Sequence, residues 1–211
     1  MKEAELGERQ GIMLGLTDNS GDYDPNRRLN DFSVDFLASL AMEYARAYLA
    51  TDGFWHGAVT QRVGAKEAMD CELVVWRRIA NHVIPRIARL ANIQLPVKDI
   101  VEALKVWQIL PDQILPDIYR IEYAIKDNTQ AIGTVTRCAT LERFERNAPQ
   151  MIETLCHGVE VEAVAAQCLV LHPQMRMTPL KLPPRQSKDE IACQWEFRLN
   201  PGPQKKDQSD S

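Results

Sequence analysis

The hydrophobic period of this chain changes near Pro116, and that change constrains the fold more than any other sequence feature. Before it, apolar residues recur every three or four positions, which is typical of amphipathic helices. After it, residues 119–126 alternate between apolar and charged side chains, as in a half-buried strand. The sequence therefore predicts the α+β class, with an N-terminal helical layer packed on a small antiparallel sheet.

The helical half is predicted to contain four helices. The first covers 33–53 and ends at an Asp-Gly pair, and a shorter one stops at a glycine after 54–63, where a left-handed cap suits glycine. The strongest helix covers 65–91, and Pro85 inside it is expected to kink or break it. The last covers 96–111 and has a proline at its first turn.

The second half is predicted to be mostly extended. An Asp-Asn turn joins the strand over 119–126 to a partner over 131–139, which makes an antiparallel hairpin. Further helices and strands follow along the chain, with the polar loop LPPRQSKDE before the last strand: helices over 149–156 and 159–171, then strands over 175–180 and 191–199.

Length and composition predict one domain. The 211 residues suit a single core over 31–199, with a loose arm over 1–30 and a disordered tail over 200–211. The net charge of −4 provides no basic face for nucleic acid or an anionic membrane. We expect no signal peptide and no apolar run long enough to cross a bilayer. These features predict a cytoplasmic protein whose five cysteines are free thiols or metal ligands.

The closing segment IACQWEFRL raises the question whether Cys193 serves chemistry or packing. Alternation places Cys193 and Trp195 on the apolar face of the last strand and Glu196 on the opposite face. A cysteine in apolar surroundings behaves as a small hydrophobe with a raised pKa. The strand pattern alone favours a core role for Cys193 and a surface ion pair for Glu196.

Three segments carry a family resemblance: DGFWHGAVTQRVGAKEAMDCELVVWRRI, TVTRCATLERFER and LPPRQSKDEIACQWEF. Over residues 50–199 the chain resembles an uncharacterised prokaryotic family of unknown function that has a Pro-Pro loop and a closing Cys-x-Trp-x-Phe strand. That family is distantly similar to the aminothiazoline carboxylate hydrolases. The resemblance implies a site but no reaction, at these positions: Trp55, Gly64, Arg137, Cys138, Cys156, Pro183, Pro184, Cys193, Trp195 and Phe197.

The chain departs from that family in the Pro-Pro loop. Relatives often have a cysteine before the two prolines and an acidic residue after them, where this chain has Leu182 and Arg185. If the family's cysteines bind a metal, this chain lacks one ligand.

A Cys-rich metal-binding domain is one alternative, because a structural zinc site takes four nitrogen or sulfur ligands. No pair has the close CxxC spacing that makes such a site specific, so we assign no metal ligand and leave the cofactor open. The available donors are Cys138, Cys156, Cys168, Cys193 and His157.

Cys138 and Cys193 are the candidate catalytic residues. A thiol nucleophile needs a nearby cation or base that lowers its pKa. Arg137 adjoins Cys138, but neighbouring strand residues point to opposite faces. The hypothesis is a cysteine-dependent hydrolase of a small carboxylate or amide, and the sequence leaves open whether the protein is an enzyme.

A small-molecule-binding protein is the broader hypothesis. Trp55 and Trp195 would form an apolar pocket wall, and Arg137 would hold a ligand carboxylate at its mouth. Glu196 completes the candidate ligand-binding residues, because its carboxylate faces solvent or a basic partner. A non-catalytic accessory or interaction protein is the alternative, and a homodimer that buries aromatic surface is compatible with either.

Overall fold

The computed structural model describes residues 18–199 and divides them into one unit over 18–50 and another over 51–199. The first seventeen residues of the predicted arm and the whole predicted tail lie outside the described residues. The predicted class is confirmed, because helices fill the first half and a four-stranded antiparallel sheet follows in the second.

The unit over 18–50 contains a short 3-10 turn, Leu29–Asp31, and the start of a long helix. The Ser33 hydroxyl oxygen accepts the backbone N–H of Phe36 at 3.1 Å, which satisfies one of the free donors of the first helical turn. The rings of Phe32 and Phe36 stack with centroids 4.7 Å apart, and the Arg27 guanidinium lies 5.7 Å from the Phe32 centroid.

The first helix, α1, covers Val34–Val63, so the predicted break at the Asp-Gly pair is wrong. Glycine costs about 1 kcal/mol relative to alanine inside a helix, which a helix of this length tolerates. The predicted stop at Gly64 is confirmed; its φ of +94 and ψ of 164 lie outside the helical regions, in positive-φ space that glycine adopts readily. The second helix, α2, covers Ala65–Leu90 and continues through Pro85, so the proline does not end it.

The third helix, α3, covers only Ile100–Trp107, within the predicted 96–111. The Asp99 side chain caps it by accepting the backbone N–H of Glu102 at 2.8 Å, so the start is set by this cap and not by the proline. The loop after α3 then leads into the sheet.

The sheet contains β1 (Tyr119–Asp127), β2 (Gln130–Cys138), β3 (Met175–Lys181) and β4 (Cys193–Leu199) in the order β1-β2-β4-β3. All neighbouring pairs are antiparallel, which confirms the predicted hairpin and both later strands. The closing strand β4 is therefore central.

The connection from β2 to β3 is helical. The helix α4, Ala139–Asn147, was not predicted, and the Cys138 side chain caps it immediately after β2. The helix predicted over 149–156 falls on residues 151–159, most of which are π-helical. A π-helical turn over Glu153–Val159 then leads into α5, Glu160–Leu171, which confirms the last predicted helix.

By length and composition alone, the stretch Glu153–Leu171 would pass as a membrane-spanning helix, contrary to the expectation of no such run. The same composition is typical of a core helix. Val164, Cys168 and Leu171 lie in the same buried cluster as Trp195 and Phe197, which accounts for the apolar character of this stretch.

One face of the sheet forms the core. Trp195 and Phe197 of β4 are fully buried, and Gly133 of β2 lies directly opposite Trp195. The Phe197 ring meets the Trp107 ring edge-on with centroids 5.5 Å apart, which joins β4 to α3. The other face of the sheet is polar, and Gln194 donates there to the Thr134 hydroxyl at 2.9 Å.

Gly133→Ala is expected to lower the free energy of unfolding by about 1–3 kcal/mol, because overpacking strains a close-packed core. A Cβ at this position would lie 2.8 Å from Ile121 Cδ1 and 2.8 Å from Phe197 Cε2. The matched control is Gly53→Ala in α1, where nothing lies within 4 Å. Gly53→Ala should raise the free energy of unfolding by about 0.4–1 kcal/mol. Denaturant unfolding should therefore show changes of opposite sign in the two variants. Changes of the same sign would contradict the close approach at Gly133.

Candidate functional site

A small cavity lies between α2, α5, the sheet and the loop that follows α3. Its volume is about 40 Å³, which is room for a few water molecules or one small chemical group. Its polar lining residues define what we name the carboxylate pocket: Asp112, Gln113, Glu160 and Gln167. Aromatic and aliphatic side chains complete its walls: Trp76, Trp107, Tyr119, Ile121, Ala163, Val164, Met177 and Phe197.

Glu160, the first residue of α5, has the most perturbed carboxyl group in the pocket. The residue is exposed, but the protein packed around its carboxyl group limits the access of water to that group and raises its pKa to about 7. The negative charges of Asp112 and Glu72 act in the same direction. Near neutral pH this group therefore exists in both protonation states.

Asp112 lies in the loop after α3, and removal from water raises its pKa as well. The Gln113 side-chain N–H donates to Asp112 Oδ2 at 2.7 Å, which partly opposes that shift. This bond orients the Gln113 amide and leaves its buried oxygen, Oε1, without a hydrogen-bond donor. The pair therefore leaves the Gln113 side-chain oxygen as an unpaired hydrogen-bond acceptor at the pocket.

Gln167 lies two turns after Glu160 on α5 and is only 8% exposed. Among the described residues its side-chain amide has no hydrogen-bond partner. Buried polar side chains are normally paired, so an unpaired amide in a cavity wall is typical of a site that receives a ligand or ordered water.

A second polar cluster lies between α1 and α2. His56 Nδ1 lies 2.5 Å from Glu72 Oε2, and neither atom has hydrogen-bond geometry toward a partner. Removal from water, with the charge of Glu72, raises the pKa of Asp52 to about 6, while His56 opposes the shift. The negative charge of Glu72 also raises the pKa of Glu160. This cluster and the carboxylate pocket are therefore electrostatically coupled.

The structure brings three cysteines into one neighbourhood beside Glu160. Removal from water is the largest cause of their raised pKa values, about 11 for Cys138 and about 12 for Cys156 and Cys193. The negative charge of Glu160 raises all three further, and Cys138 also acts on the other two thiols. These thiols are protonated at neutral pH.

Cys138 and Cys193 also have structural contacts. Cys193 is partly buried beside the core and accepts the indole N–H of Trp195 on its sulfur at 3.1 Å. Cys138 Sγ accepts the backbone N–H of Leu141 at 3.4 Å and so caps α4. These contacts explain why both positions hold cysteine without any catalysis, while their assignment as catalytic residues stays a prediction.

The predicted ligand-binding residues do not line the carboxylate pocket. Trp55 is 59% exposed on α1, whereas Trp195 lies in the core. Arg137 is exposed near the end of β2, and its Nε lies 3.9 Å from Glu142 Oε1. Glu196 lies on the polar face of the sheet, where it pairs with Arg198 and Gln130.

Side-chain contacts hold the Pro-Pro loop in place. Arg185, which is 6% exposed at its side chain, makes a two-pronged ion pair with Glu145 of α4 at 2.9 and 2.6 Å. The ring nitrogen Nε2 of His157 lies 2.5 Å from the carbonyl oxygen of Pro183. Leu182 packs against the core. Leu182 and Arg185, where we expect the chain to depart from the family that it resembles, therefore have structural roles of their own.

Within residues 18–199, no group of three or more His, Cys, Asp or Glu side chains is arranged to hold a metal ion.

Sequence reasoning missed the polar residues of the pocket. A usable signal existed in α5, where Glu160 and Gln167 stand seven positions apart, in phase with the buried Val164 and Leu171. Two polar residues on an apolar helical stripe indicate a buried polar site. Asp112 carried no comparable signal, since it stands in a loop.

Fold and pocket together define an α+β domain with a small polar cavity between its helices and its sheet. The model of a family of unknown function, DUF6125, matches residues 30–199, and the chain belongs to this family. The predicted membership of an uncharacterised family is thereby confirmed, while prokaryotic origin and the similarity to aminothiazoline carboxylate hydrolases stay predictions. Comparisons with curated proteins and with solved structures gave no match.

Glu160→Gln is expected to raise the melting temperature more at pH 8 than at pH 5. The carboxyl pKa rises from 4.5 to about 7 on folding, so the folded chain binds more protons in this window. Its contribution to stability is therefore present below pH 4.5 and is lost as pH rises through 7. The amide does not titrate, so the melting-temperature difference should grow with pH.

The matched control for this measurement is Glu153→Gln, which removes an exposed carboxyl outside the pocket. Thermal unfolding of both variants across the pH range separates the two cases. If the melting-temperature difference from the native chain grows equally with pH in both variants, the pKa of Glu160 is not raised by its surroundings.

Proposed function

We propose that this protein binds a small molecule in the carboxylate pocket and hydrolyses an amide-type bond in it by general acid–base catalysis. The observation that carries the proposal is the grouping of two carboxyl groups, Glu160 and Asp112, with the unpaired Gln167 amide in one aromatic-walled cavity. A pocket with a few convergent polar groups and perturbed pKa values is typical of active sites.

Glu160 is the general acid–base in this proposal, because its pKa of about 7 suits proton transfer in both directions at neutral pH. Its carboxylate accepts a proton as water adds to the carbonyl carbon. When the C–N bond breaks, the leaving nitrogen takes that proton from Glu160. The Gln167 N–H would donate to the carbonyl oxygen as negative charge develops there.

The test is hydrolysis of a panel of small linear and cyclic amides, followed by NMR of the released acid and amine. Glu160→Gln should lower kcat/KM about 100-fold or more, because it removes the group that transfers protons. The native chain should lose activity as pH falls through about 7, where Glu160 becomes protonated.

Glu153→Gln, outside the pocket, is the matched control and should keep native activity. An active native chain whose kcat/KM is the same in the Glu160→Gln variant would sink the proposal, as would a panel on which the native chain is inactive.

A cysteine nucleophile is the second candidate, since Cys138, Cys156 and Cys193 lie within electrostatic range of Glu160. In this version Glu160 would take the thiol proton before the sulfur attacks the carbonyl carbon. The C–N bond would break as the leaving nitrogen takes that proton from Glu160, and water would then hydrolyse the thioester to release the acid and restore the thiol. The pKa values of about 11 to 12 oppose it, because they leave little thiolate at neutral pH.

Alkylation by iodoacetamide at pH 7 tests the second candidate. We expect the exposed Cys71 to react first and the three thiols beside Glu160 to react slowly, because they are protonated and partly enclosed. Peptide mass spectrometry over time gives the order of modification. If Cys138 or Cys193 is modified before Cys71, the thiol is activated and the cysteine mechanism replaces the carboxyl mechanism.

A further inference from the structure

The charges that line the carboxylate pocket are all of one sign. Asp112 and Glu160 contribute carboxyl groups, and no Lys, Arg or His belongs to the described residues that line the cavity. Glu72 of α2 adds a third negative charge close enough to act on Glu160. An anionic ligand group here would be repelled, whereas a cation would offset the charges of Asp112 and Glu160, which no basic lining residue pairs.

The unpaired hydrogen-bonding groups of the walls are mainly acceptors, although the Gln167 amide also offers its N–H. The Gln113 N–H is used by Asp112 Oδ2, and the Gln113 oxygen is buried without a donor. Glu160 has no hydrogen bond to another described residue, and the Gln167 amide oxygen is likewise unpaired. Because acceptors outnumber donors among the described residues of the walls, the pocket favours a ligand that donates several hydrogen bonds.

The small volume and the aromatic walls of the cavity favour a small flat group. The cavity of about 40 Å³ admits only a few heavy atoms, and Trp76, Trp107 and Tyr119 stand in its walls. Aromatic faces attract cations through their quadrupole, and a planar cation can lie against such a face while its edge donates to carboxylates.

We infer that the carboxylate pocket recognises a planar N–H cation, an amidinium or guanidinium group of a small molecule, which Asp112 and Glu160 hold by charge-assisted hydrogen bonds. The inference rests on the proposed function for its pocket and adds the class of ligand. It differs from the sequence prediction of a ligand carboxylate held by arginine, since Arg137 is exposed and does not line this pocket.

Three probes of nearly identical shape test the sign of the ligand charge: acetamidinium, acetamide and acetate. Each is titrated at about pH 8 into the full-length protein labelled with ¹⁵N, and the indole N–H signals are followed. Acetamidinium should shift the signals of the lining residues Trp76 and Trp107 and leave that of the exposed Trp55 in place. It should bind about tenfold more tightly than acetamide, and acetate should bind most weakly.

The Glu160→Gln variant should lose the preference for acetamidinium over acetamide, whereas Glu153→Gln should keep it. Tighter binding of acetamide or acetate than of acetamidinium would overturn the ligand class while the pocket still binds, so the hydrolysis proposal would survive. Absence of any shift at Trp76 and Trp107 with all three probes would overturn the inference. The proposed hydrolysis fails separately, through unchanged kcat/KM in Glu160→Gln.

Discussion

The apolar face of β4 is the contact on which the rest of the structure depends. Trp195 and Phe197 are fully buried, and β4 lies between β2 and β3, so both halves of the sheet are joined through it. The absence of a side chain at Gly133 gives the Phe197 ring its place. Phe197 also packs edge-on against Trp107 and forms part of the pocket wall. The same side chain therefore contributes to both the core and the pocket.

Against this apolar background the polar groups of the pocket carry a cost. Carboxyl and amide groups taken out of water without partners destabilise a fold, and an apolar residue at Glu160 or Gln167 would remove that cost. A polar site that works against stability is expected where a protein binds or reacts with something. The perturbed carboxyl groups are thus better indicators of function than the cysteines.

Removal from water acts on carboxyls and thiols in the same direction but with opposite consequences. It moves the pKa of Glu160 up to about 7, where the group exchanges protons readily at neutral pH. It moves the pKa of Cys193 up to about 12, where the thiol is fixed in its protonated form. The same surroundings therefore favour acid–base chemistry by a carboxyl over nucleophilic chemistry by a thiol.

The sequence by itself determined the α+β class, the hairpin, the closing strand and the apolar face that holds Cys193, because these follow from periodicity within single elements. It misplaced the boundaries near Gly53 and Pro96, where cap contacts and helix length outweigh local signals. Only the tertiary structure decided that Asp112, Glu160 and Gln167 share one cavity. They come from a loop and a helix that are distant along the chain, and their pKa values depend on packing around them.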